Sequence, residues 1–211
     1  MVKEQIKNIV FDLGDVIINI DVPLAAKAFA ELSGQEATAV QDVFKDVEIF
    51  RKFETGTLSA AGFRAYVREL LVNPDWEDHL IDTAWNALLL DIPPKRIELI
   101  QNLRQRYRLF LLSNTSSIHV EAVNKILYQT TGVEQLQDLF EQVFLSYEMG
   151  VMKPDAAIYQ RVLQEGTMQA HETLFLDDNA DNIAAAAALG IQTIHVQKPF
   201  TILDYLADYV S

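Results

Sequence analysis

Three short apolar runs, far apart in the chain, each stop at a polar residue. Lys7 to Phe11 (KNIVF) ends at Asp12, Arg108 to Leu112 (RLFLL) at Ser113, and Thr173 to Leu176 (TLFL) at Asp177–Asp178. Apolar runs this short, bounded by polar residues, read as buried strands. Gln142 to Leu145 is a further, shorter run, and Gln192 to Val196 (QTIHV) alternates in polarity as an edge or late strand does. Helical patterns lie between them. Pro93-Pro94 opens one that continues through Ile97, Ile100 and Leu103, and Ser116 to Tyr128 is the next. Asp155 suits the N-cap of Ala156 to Glu165, which Gly166 ends, and the alanine-rich stretch Asn182 to Leu189 stops at Gly190. Thr201 to Tyr209 is the last. Strands alternating with helices imply right-handed βαβ crossovers. The expected fold is therefore α/β, a Rossmann-like parallel sheet with helices on both faces.

One segment breaks the alternation. From Asp21 to Asp91 the patterns are helical only: Pro23 to Ser33, Gln35 to Phe44, Ser59 to Leu71 and Asp75 to Leu90. Roughly seventy residues without a strand is too long for an ordinary βα connection. The reading is an inserted small α-helical cap subdomain over residues 19–91, with a core built from residues 1–18 and 92–211.

Composition narrows the chemistry. The chain has no cysteine, so disulfides, thiolate nucleophiles and cysteine metal sites are excluded. The formal net charge of −13 repels phosphate backbones, so nucleic acid is not expected as a partner. No signal peptide and no apolar run of the ~20 residues a membrane span needs can be found, which makes a cytoplasmic location the expectation and a membrane an unexpected partner. An anionic substrate would need local positive charge, such as a divalent cation and a well-placed lysine.

In open parallel sheets, ligands bind outside the C-terminal ends of the strands. Asp12, Ser113 and Asp177–Asp178 all belong there, and Lys153, in a loop after the Gln142 strand, should face the same edge. Each has a plainer reading. Asp12 could simply bond loop amides, with Gly14 allowing a tight turn. Ser113, Asn114 or Thr115 could cap the following helix. Asp181 or Asn179 could cap the helix after Asp177–Asp178. Yet adjacent carboxylates after a buried strand call for a cation, and an all-oxygen donor set suits a hard ion such as Mg²⁺. A lysine entering an apolar loop beside such groups pairs with them or with a bound phosphate.

Together, FDLGDVI, LLSNTS, KPD and FLDDNADN, in that order, resemble the four motifs of the haloacid dehalogenase-like hydrolase superfamily. The resemblance covers essentially the whole chain, including a small helical cap after the first motif. The stretch Phe53 to Ser59 and DDNADN are similar to sugar-phosphate phosphatases of the α-D-glucose-1-phosphate type. The resemblance implies a Mg²⁺-dependent phosphatase acting on a small phosphate ester, for example a sugar phosphate such as a hexose 1-phosphate. It implies Asp12 as nucleophile forming an aspartyl-phosphate, Ser113 and Lys153 holding phosphoryl oxygens, and a metal at Asp12, the Gly14 carbonyl and Asp178. Asp177 and Asn182 would complete or orient that shell. Asn114, Arg51 and Glu54 are further candidates for substrate contact.

The sequence departs from the family pattern at Gly14, where most phosphatases of the superfamily carry an aspartate as general acid and base. General acid–base help is worth about 10²–10⁴-fold, so the departure implies a slower enzyme, a preference for good leaving groups, or a proton donor from elsewhere. Asp15 is adjacent but should project differently. The competing readings are 2-haloacid dehalogenation, phosphomutase chemistry, and a catalytically weak binding or regulatory module. Trp76 and Trp85 read as core of the cap. His79, His119, His171 and His195 have no ligand-spaced partners and read as structural. A monomer or homodimer is compatible with the sequence.

Overall fold

A computed structural model of the chain describes residues 6–36, 38, 40 and 47–209. Five parallel strands form its sheet: β1 (Asn8–Phe11), β2 (Arg108–Ser113), β3 (Gln142–Leu145), β4 (Thr173–Asp177) and β5 (Gln192–His195), in the order β3-β2-β1-β4-β5. The alternation within the strands explains the layers. Ile9, Phe11, Leu109, Leu111, Leu174 and Leu176 join one apolar cluster with Ile97, Ile100 and Val123, while Val10, Phe110, Leu112, Phe144 and Phe175 join another with Ile158, Tyr159 and Ala186. Successive strand residues face opposite sides, so both faces are buried, as a parallel sheet requires. QTIHV forms an edge strand as its alternation suggested.

Several of the helices begin at a side-chain cap. We label those before β2 α1 (Pro23–Ser33), α2 (Val47–Glu54), α3 (Ala60–Leu70), α4 (Asp78–Asn86) and α5 (Pro94–Leu103). Those after it are α6 (Ser117–Thr131), α7 (Ser146–Met149), α8 (Ala156–Glu165), α9 (Ala180–Ala188) and α10 (Ile202–Tyr205). Ser59, Ser116, Asp155, Asn179 and Thr201 each accept a hydrogen bond from an amide of the first turn of α3, α6, α8, α9 and α10.

Several element limits differ from the sequence reading. The helix expected over Asp75 to Leu90 is confined to α4. Its expected start is replaced by a turn whose Trp76 carbonyl accepts from Arg68 Nε at 2.7 Å, and Leu89 is drawn into an antiparallel bridge with Ile20. The helix expected over Thr201 to Tyr209 breaks into α10 and a 3₁₀ turn, Ala207–Tyr209. Helix α2 had no counterpart in the sequence reading, and α9 starts at Ala180 rather than Asn182 because Asn179 caps it. The helix expected over Gln35 to Phe44 lies largely outside the described residues.

Chain segments entering and leaving the helical insertion run beside each other. The Asn19 amide donates to Asp91 at 2.9 Å, the Leu90 amide to Asn19 at 3.0 Å and the Asp21 amide to Leu88 at 2.9 Å. The insertion has its own apolar cluster around Phe29, Phe53, Phe63, Val67, Ile81 and Trp85, which reaches the rest of the molecule at Ile118.

Candidate active site

The register of the central strands fixes the site. Phe11 pairs with Leu111 on β2 and with Leu176 on β4. The next residue along β1 is therefore flanked by the ends of both neighbours, and Asp12, Ser113 and Asp177 emerge together at the C-terminal edge. All three side chains are buried.

Lys153 closes the group from the loop after α7. Its Nζ lies 2.7 Å from Asp12 Oδ1 and 2.6 Å from Asp177 Oδ2, and donates to the Leu112 carbonyl at 3.1 Å. The loop is held by a reciprocal pair: Asn114 Nδ2 donates to the Lys153 carbonyl at 2.8 Å, and the Lys153 amide donates to Asn114 Oδ1 at 2.9 Å. Burial works against the ammonium, but Asp12 and Asp177 together outweigh it and hold the Lys153 pKa above the ordinary lysine value.

Asp177 is saturated. Its Oδ1 accepts from the Asn179 amide at 2.8 Å and from Asn182 Nδ2 at 3.0 Å, and its Oδ2 accepts from Lys153 and from Asn182 Nδ2 at 3.1 Å. Asp178 is exposed next to it. Partial desolvation of its carboxyl, and then the charges of Asp177 and Asp15, hold its pKa above the ordinary carboxylate value. Burial also pushes Asp12 to about 7, against the pull of Lys153 and with a further push from Asp177.

These residues fit a divalent cation. Ligand oxygens of Asp12, Asp177 and Asp178 lie within 4.8 Å of one another. The single ammonium of Lys153 cannot balance three carboxylates, and the donor set is oxygen only, as Mg²⁺ requires. Because Asp177 spends both oxygens on hydrogen bonds, Asp12 and Asp178 are the carboxylates best able to face an ion.

A cleft of about 370 Å³ opens beside this edge. Leu13, Gly14, Ser113, Asn114 and Thr115 form its floor, and Phe29, Phe50, Glu54, Trp85 and Leu89 its roof. Glu54 sits at the C-terminal end of α2, and burial pushes its carboxyl to about 7 while Lys153 pulls it down. Trp85, read from the sequence as core, is core and wall at once: it stacks on His119 at 4.9 Å and on Phe50 at 5.5 Å while lining the cleft. His119, read as structural, also lines it. Burial drives its pKa to about 4, leaving a neutral ring whose Nδ1 is 2.7 Å from Asn86 Oδ1.

Other candidates fall elsewhere. Arg51 is exposed and is not among the cleft-lining residues. The helix after Ser113 is capped by Ser116, whose Oγ accepts from the His119 amide at 3.4 Å, so Ser113 is not needed for capping. Asp15 has φ 52°, and its carboxylate turns to Lys198, with the nearer oxygen 2.9 Å from Nζ, and to the Ile20 amide at 3.3 Å. Gly14 presents no acid, and the Asp15 carboxylate is taken up by Lys198.

Comparison with known proteins agrees with this geometry. The haloacid dehalogenase-like hydrolase family matches residues 6–190. A D-ribitol-5-phosphate phosphatase of Bacteroides thetaiotaomicron is 32% identical over 194 residues, spanning 92% of this chain and 93% of the relative. A HAD family enzyme of the same organism, crystallised with magnesium and inorganic phosphate, superimposes with a TM-score of 0.84 at 35% identity, covering 92% of this chain and 96% of that one. A predicted HAD-like hydrolase of Porphyromonas gingivalis superimposes with a TM-score of 0.87 at 26% identity, covering 97% of each chain.

Proposed function

The chain belongs to the haloacid dehalogenase-like hydrolase family, and from that premise we propose a magnesium-dependent phosphatase that cleaves a small phosphate monoester through an aspartyl-phosphate on Asp12. The observation that carries this reading is Lys153 held between Asp12 and Asp177, with Asp178 alongside. Phosphoryl transfer asks the protein mainly for positioning and charge stabilisation, and this cluster supplies both.

In this reading an Asp12 carboxylate oxygen attacks phosphorus, and Lys153 and the Ser113 hydroxyl hold phosphoryl oxygens. Asn114 acts through Lys153 by fixing its loop. Asp12, the Gly14 carbonyl and Asp178 would hold Mg²⁺, while Asp177 orients Lys153 and, with Asn182, would border the ion's site. When bound, the ion offsets charge on the transferring group. Residues 19–91 act as the cap that roofs the cleft, and the enzyme works in the cytoplasm as a monomer or homodimer. The relative that acts on D-ribitol 5-phosphate supports a polyol or sugar phosphate, of which a hexose 1-phosphate is one.

Dehalogenation is the less supported alternative, because it needs no metal, whereas Asp177 and Asp178 gathered beside Asp12 suit one. The test is a screen of phosphate monoesters with purified protein and Mg²⁺, run with and without EDTA and beside a 2-haloacid. Phosphate release that EDTA abolishes is expected. Halide release that survives EDTA, or no ester cleaved at all, would overturn the proposal.

A further inference from the structure

Gly14 leaves the reaction without an acid on the floor of the cleft, and the roof offers one. Glu54, at the end of α2, lines the same cavity as Gly14 and Ser113, and its carboxyl feels the charge of Lys153. Its position is set by the turn that follows it. Gly56 has φ 72°, and a Cβ built on it would lie 2.0 Å from the Tyr147 carbonyl oxygen. Only glycine lets this turn press against α7, the single helical turn after β3 in the chain segment leading to Lys153. The end of α2 is thereby seated on the core rather than held above it. Among the described residues, nothing hydrogen-bonds to the Glu54 carboxyl or pairs with it directly. It is thus unspent, unlike Asp15 and Asp177.

Resting on the phosphatase reading, we propose that the Glu54 carboxyl is the proton donor to the leaving oxygen, in place of the acid that Gly14 cannot carry. The alcohol half of the ester extends from the phosphoryl end, at Gly14 and Ser113, into the cleft below Glu54. As the Asp12 oxygen bonds to phosphorus, the phosphorus–oxygen bond of the ester breaks and its electron pair goes to the leaving oxygen. That oxygen takes the Glu54 proton, and the alcohol departs neutral. Water then attacks the phosphorus of the aspartyl-phosphate and gives a proton to the Glu54 carboxylate, while the bond between phosphorus and the Asp12 oxygen breaks, its electron pair returns to Asp12, and inorganic phosphate leaves.

The surroundings suit the role. Apolar walls at Leu13, Ile18, Phe29, Phe50 and Trp85 disfavour the charged form, so the carboxyl stays protonated up to about neutral pH. The other charged or titratable groups near it are Lys153, which acts on its charge, neutral His119 in the same cleft, Tyr147 on α7 against the following turn with its partner Glu148, and Arg51 and Lys52 on its own helix.

The experiment compares wild type with Glu54→Gln on two esters, p-nitrophenyl phosphate and an alkyl phosphate monoester that the wild type cleaves. A good leaving group needs little protonation and a poor one needs much. For the alkyl ester, kcat/KM is expected to fall by about 10²–10³-fold. The loss on the aryl ester is expected to be at least about tenfold smaller, and the basic limb of the alkyl-ester pH profile near neutrality should disappear. Glu54→Asp, which keeps a carboxyl, should recover part of the alkyl-ester rate. Equal losses on both esters, or no loss on the alkyl ester, would overturn the proposal. A wild type inactive on every ester would instead defeat the phosphatase reading beneath it, and circular dichroism of the variant separates either result from misfolding.

Discussion

Lys153 is the residue on which the electrostatics of the site turn. It is 2% exposed and touches two buried carboxylates. Removing one member of a buried ion cluster leaves uncompensated charge, at a cost of about 3–5 kcal/mol. Urea denaturation of Lys153→Met should show a loss of that size, part of it recovered by saturating Mg²⁺; a loss below about 1 kcal/mol would mean the carboxylates are balanced by something else. Lys153, Asp12, Ser113 and Asp177–Asp178 were legible in the sequence because each ends a strand or enters a loop at one edge. The division of labour between Asp177 and Asp178 was not. It depends on the Asn179 amide and the Asn182 amide group converging on one carboxylate, and only the folded loop brings them there.

At the scale of elements, the turn from Phe53 to Ser59 connects the two halves of the site. Gly56→Ala must force a Cβ against the Tyr147 carbonyl at a positive φ, which costs about 1–3 kcal/mol and displaces Glu54. Gly34→Ala is the control: its φ is 69°, but no atom lies within 4 Å of the added Cβ. Both variants should melt at lower temperature, with Gly56→Ala alone losing most of its phosphatase activity; equal activity in the two would detach the turn from catalysis. Strand positions were readable because apolar runs and their polar ends are local signals. The limits of α4 and α10 were not, since they depend on the Ile20–Leu89 bridge and on packing from outside each segment. Helix α2 was missed for a related reason. It is rich in charge on one side and owes its place to Phe50 and Phe53 stacking on Trp85 and Phe63.

At the scale of the whole molecule, the proposed reaction brings an anionic ester to a chain of net charge −13. The fold answers locally, by gathering a lysine and three carboxylates at one edge of the sheet. Mg²⁺ should stabilise the protein by mass action, by about 2.7 kcal/mol at a hundred times its Kd, and a thermal melt insensitive to Mg²⁺ would count against the metal site. The α/β fold was legible from the rhythm of the sequence. The double use of Trp85 and His119 as core and wall was not, because burial patterns look the same for both roles. The claim beneath all of this is that Asp12 becomes covalently phosphorylated. Rapid acid quench with a ³²P-labelled monoester, followed by peptide mapping, measures it directly. The expected result is label on the peptide containing Asp12 in the wild type and none in Asp12→Asn. Turnover without label on that peptide, or full activity in Asp12→Asn, would contradict it.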